Sequence, residues 1–346
     1  MKIAPRIKKK IISTILICIL VVYAILTLMP FYFLFVRTFV ATQEMTDLYL
    51  WIPGQYSVSK KLAVYSIQER LKIEIPKFKQ RFGIPEDEKL KTRMTIADIA
   101  EKYDIPLQEM IEFFETRYRF HGWLFTLTPR MVEGLAIYRS MLNSVIVTVS
   151  SLVLMIILSI LTGFVIAGFK KRWHFYIYTY YLISLIIPPS LIMVPKYVLM
   201  NYLHLINTFF SIILPFAAGS ALSTMIFTSY IGTIPKDFSD AVKIDGGSRL
   251  QYLWHVVVPL CIIPIGTLTV IELPQIWNQF LEPLLYLEKQ ELYTLQLYLR
   301  GFLGHNSDDF QAFNTAILVS IIPMLAVYLS ARRLFVKSLM AGAIKG

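Results

Sequence analysis

Six stretches of the chain run for about 20 residues or more with at most one Asp, Glu, Lys or Arg, and about 20 apolar residues are what a helix needs to cross a bilayer. They are Ile11–Val36, Met141–Phe169, Phe175–Pro195, Leu205–Pro235, Val256–Leu281 and Gln311–Ala331. A buried helix of a large soluble protein can mimic one such run, but six in 346 residues leave little chain for a soluble fold. Composition agrees: 56% of residues are hydrophobic, 16% are charged, and mean hydropathy is +0.58. The sequence therefore predicts an all-α integral membrane protein with six transmembrane helices.

A net charge of +11 on a soluble domain would suggest nucleic acid. Here the basic residues follow the spans instead. Lys2, Arg6, Lys8, Lys9 and Lys10 precede the first; Lys170, Lys171 and Arg172 follow the second; Lys236, Lys243 and Arg249 follow the fourth; Arg332, Arg333, Lys337 and Lys345 follow the sixth. Six crossings put all four clusters on one side, which the positive-inside rule makes the cytoplasm, with both termini inside. The first run has a basic leader like a secretory signal, yet its uncharged core far exceeds the roughly 7–15 residues of a signal, so it is expected to be retained. Cys18 and Cys261 both fall in spans, with neither a disulfide framework nor metal-ligand spacing, and are expected to pack.

Residues 1–40 hold the first span, 41–140 form a large extracytoplasmic insert, and 141–346 are the five remaining spans. Long translocated segments escape the charge rule, so the insert's lysines and arginines do not oppose this topology. Within it, Ile96, Ile99 and Ala100, then Leu107, Met110, Ile111 and Phe114, repeat at helical spacing, and Thr95 with Asp98 suits a capping box. Two short helices about a turn follow. The pattern has a faint look of a DNA-binding helix pair and of a cell-wall-binding repeat; the side of the membrane excludes DNA. A helical cap over the outer mouth and a docking point for an extracytoplasmic partner both remain open.

The cytoplasmic loop 234–258 is the most informative segment. Pro235 suits a helix start, Asp237 and Asp240 sit near the positive end of that helix, and Gly246-Gly247 permit the conformation that ends it. Ser248 with Gln251 reads as a second capping box, opening a helix expected to present Leu250, Leu253, Trp254 and Val257 on one face. Two short helices about a glycine turn, with apolar faces and too few residues for a core, either pack on their own bundle or await a partner.

The run Asp240-Ala241-Val242-x-x-Asp245-Gly246-Gly247, between Ile234-Pro235 and Val258-Pro259, resembles the Glu-Ala-Ala-x-x-Asp-Gly-Ala loop of binding-protein-dependent ABC importer permeases. Asn143-Ser144, Asn207-Thr208, Trp277-Asn278-x-Phe280-Leu281-x-Pro283-Leu284, Tyr293-Thr294-Leu295 and the terminal Ala341–Gly346 look like the maltose-type sugar permease branch. The resemblance covers the first span and about residues 140–346. It implies a subunit that forms half of the translocation path for a carbohydrate, partnered by a second permease, two copies of an ATPase and an extracytoplasmic solute-binding protein. It further implies docking of the ATPase by Asp240, Ala241, Asp245, Gly246, Gly247, Leu250 and Trp254, with Gly342, Lys345 and Gly346 on an ATPase-facing tail. Asp240 stands where the family has Glu and Val242 where it has Ala, which shortens the reach of the first carboxylate.

Polar groups inside spans are costly and each asks for a reason. Glu272, midway along the fifth run, either faces a substrate cavity or makes an interhelical hydrogen bond. Gln275, Trp277 and Asn278 follow it, and an aromatic ring beside amides suits a sugar's apolar faces and hydroxyl edges; Ser190, Ser223 and Thr224 can add hydrogen bonds or merely pack helices. Pro188-Pro189 interrupts the third run, and broken helices border many translocation paths. No Gly-x-x-x-x-Gly-Lys-Ser/Thr loop occurs, so ATP and its Mg are expected on the partner ATPase and no cofactor on this chain. The five histidines are scattered and form no metal spacing. Competing readings are a permease for a polyol phosphate or polyamine, and a membrane-bound enzyme, which would need an acid or metal cluster near the membrane.

Overall fold

The computed structural model describes residues 5–40, 64, 75–91, 93–119, 123, 137–168, 172–304 and 310–343. Every element among them is helical: α1 (Pro5–Arg37), α2 (Ile75–Arg81), α3 (Ile96–Lys102), α4 (Leu107–Arg119), α5 (Ile137–Gly168), α6 (Arg172–Ile186), α7 (Met193–Tyr202), α8 (Phe210–Gly219), α9 (Ala221–Gly232), α10 (Lys236–Ile244), α11 (Arg249–Leu260), α12 (Ile262–Trp277), α13 (Leu281–Tyr286), α14 (Leu295–Gly304) and α15 (Phe310–Ala343). The chain divides into two compact units, Met1–Val132 with Phe302–Val319, and Glu133–Gly301 with Ser320–Gly346.

In the first unit, Phe78, Ile84, Ile96, Ile99, Met110 and Phe114 form a closed apolar core. The Thr95 hydroxyl accepts from the Asp98 N–H at 3.3 Å while Asp98 Oδ2 accepts from the Thr95 N–H at 2.9 Å, so the expected capping box is formed in full. Those bonds, from backbone first and side chain second, hold the Asp98 carboxyl below its usual range. The Lys102 ammonium bonds and attracts Glu88, lowering that carboxyl and raising the lysine.

The second unit is organised around α5, which packs against α8, α9 and α12. Its buried face mixes small polar residues, Ser140, Asn143, Ser144, Thr148, Ser151 and Ser159, with apolar ones such as Val147, Leu152, Met155 and Ile160, while Val145, Ile146, Val149 and Val153 face out. Small polar residues within the packed face and aliphatic residues outward suit a helix solvated by lipid, where close backbone approach aids packing. Among the described residues, four helices are long and apolar enough to cross a membrane: Ser13–Arg37, Ile137–Gly168, Phe210–Gly232 and Phe310–Ser330. The pair α11–α12, bent by 64°, passes the same test as one broken span.

Length and apolarity alone therefore do not reach the expected count of six. The third run is a helix only to Ile186, because Pro188 and Pro189 lack the N–H that would continue the ladder and push the preceding residue out of helical conformation. α6 has 15 residues, and at 1.5 Å each covers about 22 Å of a core near 30 Å thick. The fourth run is also interrupted, at Ser220, whose φ −80° and ψ 86° separate α8 from α9.

Candidate functional site

The glycine-hinged hairpin forms as its sequence predicts, with two adjustments. Pro235 is the N-cap of α10, one residue before the helical position expected for it. Gly246 has φ +74°, the left-handed conformation that ends a helix, and the Gly247 N–H donates to the Val242 carbonyl at 2.7 Å. A Cβ on Gly247 would stand 2.6 Å from Val242 Cγ1 and 2.9 Å from the Val242 carbonyl oxygen, so the turn closes only on glycine. Ser248 and Gln251 then complete a capping box at 2.6 and 3.2 Å, opening α11.

The expected single apolar face of α11 is split. Leu253 and Val257 are buried with Phe227, Ile231 and Cys261, against the hairpin's own bundle, through a π-helical turn over Leu253–Val257. Leu250 and Trp254 stay out, 61% and 50% exposed, beside Phe238 at 48% and Ile244 at 86%. No residue of α10 is buried. Asp240 bonds Lys243 Nζ at 2.7 Å on an open surface, and Ala241, Asp245 and Gly246 are exposed. Half of the hairpin's apolar stripe is thus used by the bundle and half is uncovered, an area that water penalises.

Deeper in the bundle, the structure brings Glu272, Ser223 and Thr224 together around Ser220, which sequence reasoning passed over. The Ser220 hydroxyl lies 3.4 Å from Glu272 Oε1 and 2.6 Å from Ser223 Oγ, and the Thr224 hydroxyl donates to the Ser220 carbonyl at 3.1 Å. Glu272, Ser223 and Thr224 are all buried. A serine in mid-span capping the next helix was the available signal. The other path candidates do not join this group: Trp277 is buried one turn further along α12, Gln275 and Asn278 are exposed, and Ser190 is exposed in the turn after Pro188-Pro189. Gln275 bonds back to the Ile271 carbonyl at 3.3 Å, and Asn278 accepts from Gln296 at 3.2 Å. Gly342 falls within α15, while Lys345 and Gly346 lie outside the described residues.

At the opposite end of α12, three motifs far apart in sequence close into one bracket. Asn143 Nδ2 donates to the carbonyls of Glu291 at 2.9 Å and Tyr293 at 3.0 Å, and Ser144 Oγ accepts from the Leu295 N–H at 2.7 Å. Asn207, at φ 63°, receives the N–H groups of Glu288 at 2.6 Å and Lys289 at 3.1 Å on Oδ1, and its own N–H donates to the Tyr286 carbonyl at 2.8 Å. Nearby, Lys196 Nζ of α7 donates to Glu282 Oε1 of α13 at 2.9 Å. The segment 286–295 is therefore held by side chains from α5 and from the chain before α8.

The family profile of the binding-protein-dependent transport system inner membrane component matches residues 136–340. The melibiose/raffinose/stachyose import permease protein MelC of Bacillus subtilis is 29% identical over 216 residues, 62% of this chain and 78% of that protein. A putative ABC transporter permease protein of a Caldicellulosiruptor species is 31% identical over 205 residues, 59% and 74% of the two chains. The sn-glycerol-3-phosphate transport system permease protein UgpE of Salmonella typhi is 29% identical over 210 residues, 60% and 74%. A solved chain from a bacterial ABC transporter that imports the acidic polysaccharide alginate superposes with a TM-score of 0.62 at 18% identity, over 96% of this chain and 99% of that one, which speaks to the fold alone.

Proposed function

This chain belongs to the family of binding-protein-dependent transport system inner membrane components, and from that premise we propose that it forms half of the path by which a carbohydrate enters the cell. It is an inner-membrane ABC importer permease subunit with several membrane-spanning helices, a transport component and not an enzyme. The carbohydrate is our inference from the relatives, among them permeases named for melibiose, raffinose and stachyose, arabinooligosaccharides and lactose.

One observation carries the coupling part of the proposal: the uncovered apolar residues Phe238, Ile244, Leu250 and Trp254 on a hairpin rigidified by a glycine turn and a capping box. Burying four such side chains on a partner favours association by about 1.5–3 kcal/mol each before ordering costs. A separate ATPase subunit, holding ATP and Mg, is the occupant that an importer requires. Asp240, Ala241, Asp245, Gly246 and Gly247 shape that surface, and we assign Gly342, Lys345 and Gly346 to an ATPase-facing tail from the family resemblance. We read the run broken at Pro188-Pro189 as a crossing and the bent pair as one, for six spans in all, and the charge clusters support a topology with the hairpin and both termini in the cytoplasm. A second permease and an extracytoplasmic binding protein complete the assembly, with residues 41–140 outside.

Glu272, Ser220, Ser223 and Thr224 are the polar groups we assign to the path, since they meet where the span is interrupted. Purification of the chain from its native membrane tests the whole reading. An ATPase and a second permease should come with it, and Ile244→Asp should release the ATPase while leaving the second permease bound. Uptake of neutral oligosaccharides by the reconstituted complex tests the substrate class; a relative named for sn-glycerol-3-phosphate makes a polyol phosphate the second reading, and preferential uptake of that solute would replace the first. If Glu272→Gln leaves both uptake and solute preference unchanged, Glu272 is a helix-pairing group and not part of the path.

A further inference from the structure

α7 is a short helix between two irregular segments, and its two ends are held very differently. Towards its C-terminus, Met200 is buried in a cluster with Ile212, Ile213 and Tyr286, and the following chain is fixed by Asn207. Met200 is the buried residue of the helix; Tyr202 and Leu203 are exposed beyond it, and towards the N-terminus Val194 and Pro195 are exposed, as are Leu191 and Ile192 before them. What ties this half down is Lys196 Nζ on Glu282 Oε1 at 2.9 Å, with the Tyr197 and Tyr286 rings 6.1 Å apart beside it.

The pair is only half completed on the acidic side. Glu282 is 7% exposed, and its second oxygen, Oε2, is buried with no hydrogen-bond partner among the described residues; the fully buried Tyr286 hydroxyl is in the same condition. Burial, and then the nearby Glu282 charge, push the Tyr286 phenol up to about 12, so the hydroxyl keeps its proton. A buried carboxylate costs several kcal/mol to desolvate and recovers it only when both oxygens are bonded. Parting this pair in place would leave an uncompensated buried charge, so the contact can separate only where Glu282 meets water or a new partner for its open Oε2, as at a mouth that changes state.

We propose that Lys196 and Glu282 form an electrostatic latch at the outer end of the bundle, holding the N-terminal half of α7 against α13 in this state and parting when the outer mouth changes state. Pro188-Pro189 supplies the pivot, because the backbone there is already free of the helical ladder. The latch rests on the importer reading, in which these segments face outward and alternate access requires one end of the bundle to loosen.

The test uses the complete importer in proteoliposomes, with its ATPase, and its binding protein supplied with a mixture of raffinose, stachyose and maltotriose. Stimulation of wild-type ATP hydrolysis by the loaded binding protein is the first measurement; without it the importer reading of a carbohydrate permease fails, and the latch with it. Given wild-type stimulation, Lys196→Met and Glu282→Gln should each raise hydrolysis in the absence of binding protein several-fold, and the reversed pair K196E/E282K should restore the low basal rate. Single variants with wild-type basal and stimulated rates overturn the latch alone. A reversed pair as defective as the single variants also overturns it, since that pattern reports packing and not charge. If the single variants do not assemble, hydrogen exchange on the wild-type complex decides: residues 193–199 should exchange faster in one of the resting and vanadate-trapped states, and equal exchange in both rejects the proposal.

Discussion

Two helical hairpins of this chain are built with the same local grammar and come to opposite ends. α3–α4 opens on a Thr95/Asp98 capping box, and α11, the second helix of the inner hairpin, opens on a Ser248/Gln251 box; each pair turns on a residue with positive φ, Asp104 in one and Gly246 in the other. The first buries Ile96, Ile99, Met110 and Phe114 in a core of its own, and no large apolar side chain described between Ile75 and Phe114 is strongly exposed. The second leaves Phe238, Ile244, Leu250 and Trp254 in the open. Caps and turns specify that two helices meet; the placement of the apolar stripe decides whether they meet as a finished unit or as half of an interface.

The sharpest way to break the comparison is to empty the finished core. Phe114→Ala should cost that unit about 3–5 kcal/mol and speed amide exchange over residues 96–114 in the full-length protein, without altering exchange in residues 236–252. The reciprocal change, Trp254→Ala, should leave the fold within about 0.5 kcal/mol but weaken ATPase association by about 2 kcal/mol, roughly thirtyfold, read by titrating the ATPase onto the purified permease. If Trp254→Ala instead unfolds the hairpin and spares association, its apolar residues serve the bundle and the contrast disappears. Cap removal should equalise the two regions: Thr95→Ala and Ser248→Ala should each cost about 1 kcal/mol locally, measured by the same exchange experiment.

The smallest effect expected is one of pH, and only on the finished side. The Glu88 and Asp98 carboxyls are held low in the folded unit, by the Lys102 ammonium and the Thr95 cap respectively. Their contribution is complete above the ordinary carboxylate range near pH 4 and disappears as pH falls through the lower folded values. Lys102 is raised, so its share is present through neutral pH and is lost only as pH climbs past its folded value. Protection of residues 96–103, that is exchange corrected for its intrinsic base catalysis, should therefore be flat around neutrality and fall in acid; Thr95→Ala should shift the acid limb upward.

What the sequence made legible were features of short reach. The apolar runs, both capping boxes and the glycine turn were readable because each depends on residues within a few positions of one another. The family motifs were readable as strings, yet their meaning was not: that Asn143, Ser144 and Asn207 all grip residues 286–295 depends on pairings about 80 to 150 positions apart. Lys196 and Glu282 escaped notice for the same reason, 86 positions apart. The split of α11 into a buried and an open half follows from a π-helical turn that no periodicity of 3.6 announces. The broken third run was flagged by its two prolines, but that it would leave two short helices followed from helix length, which composition does not give.

The bend at Cys261 has a mechanical implication. α11 leads into α12 across a single residue, so the helix bearing Trp254 and the helix bearing Glu272 are members of one crank with no slack between them. Glu272 lies 11 positions beyond the elbow, about 16 Å along the axis. A tilt imposed at the inner surface would therefore arrive in mid-membrane as a sideways swing of the carboxylate, undamped by any flexible connector.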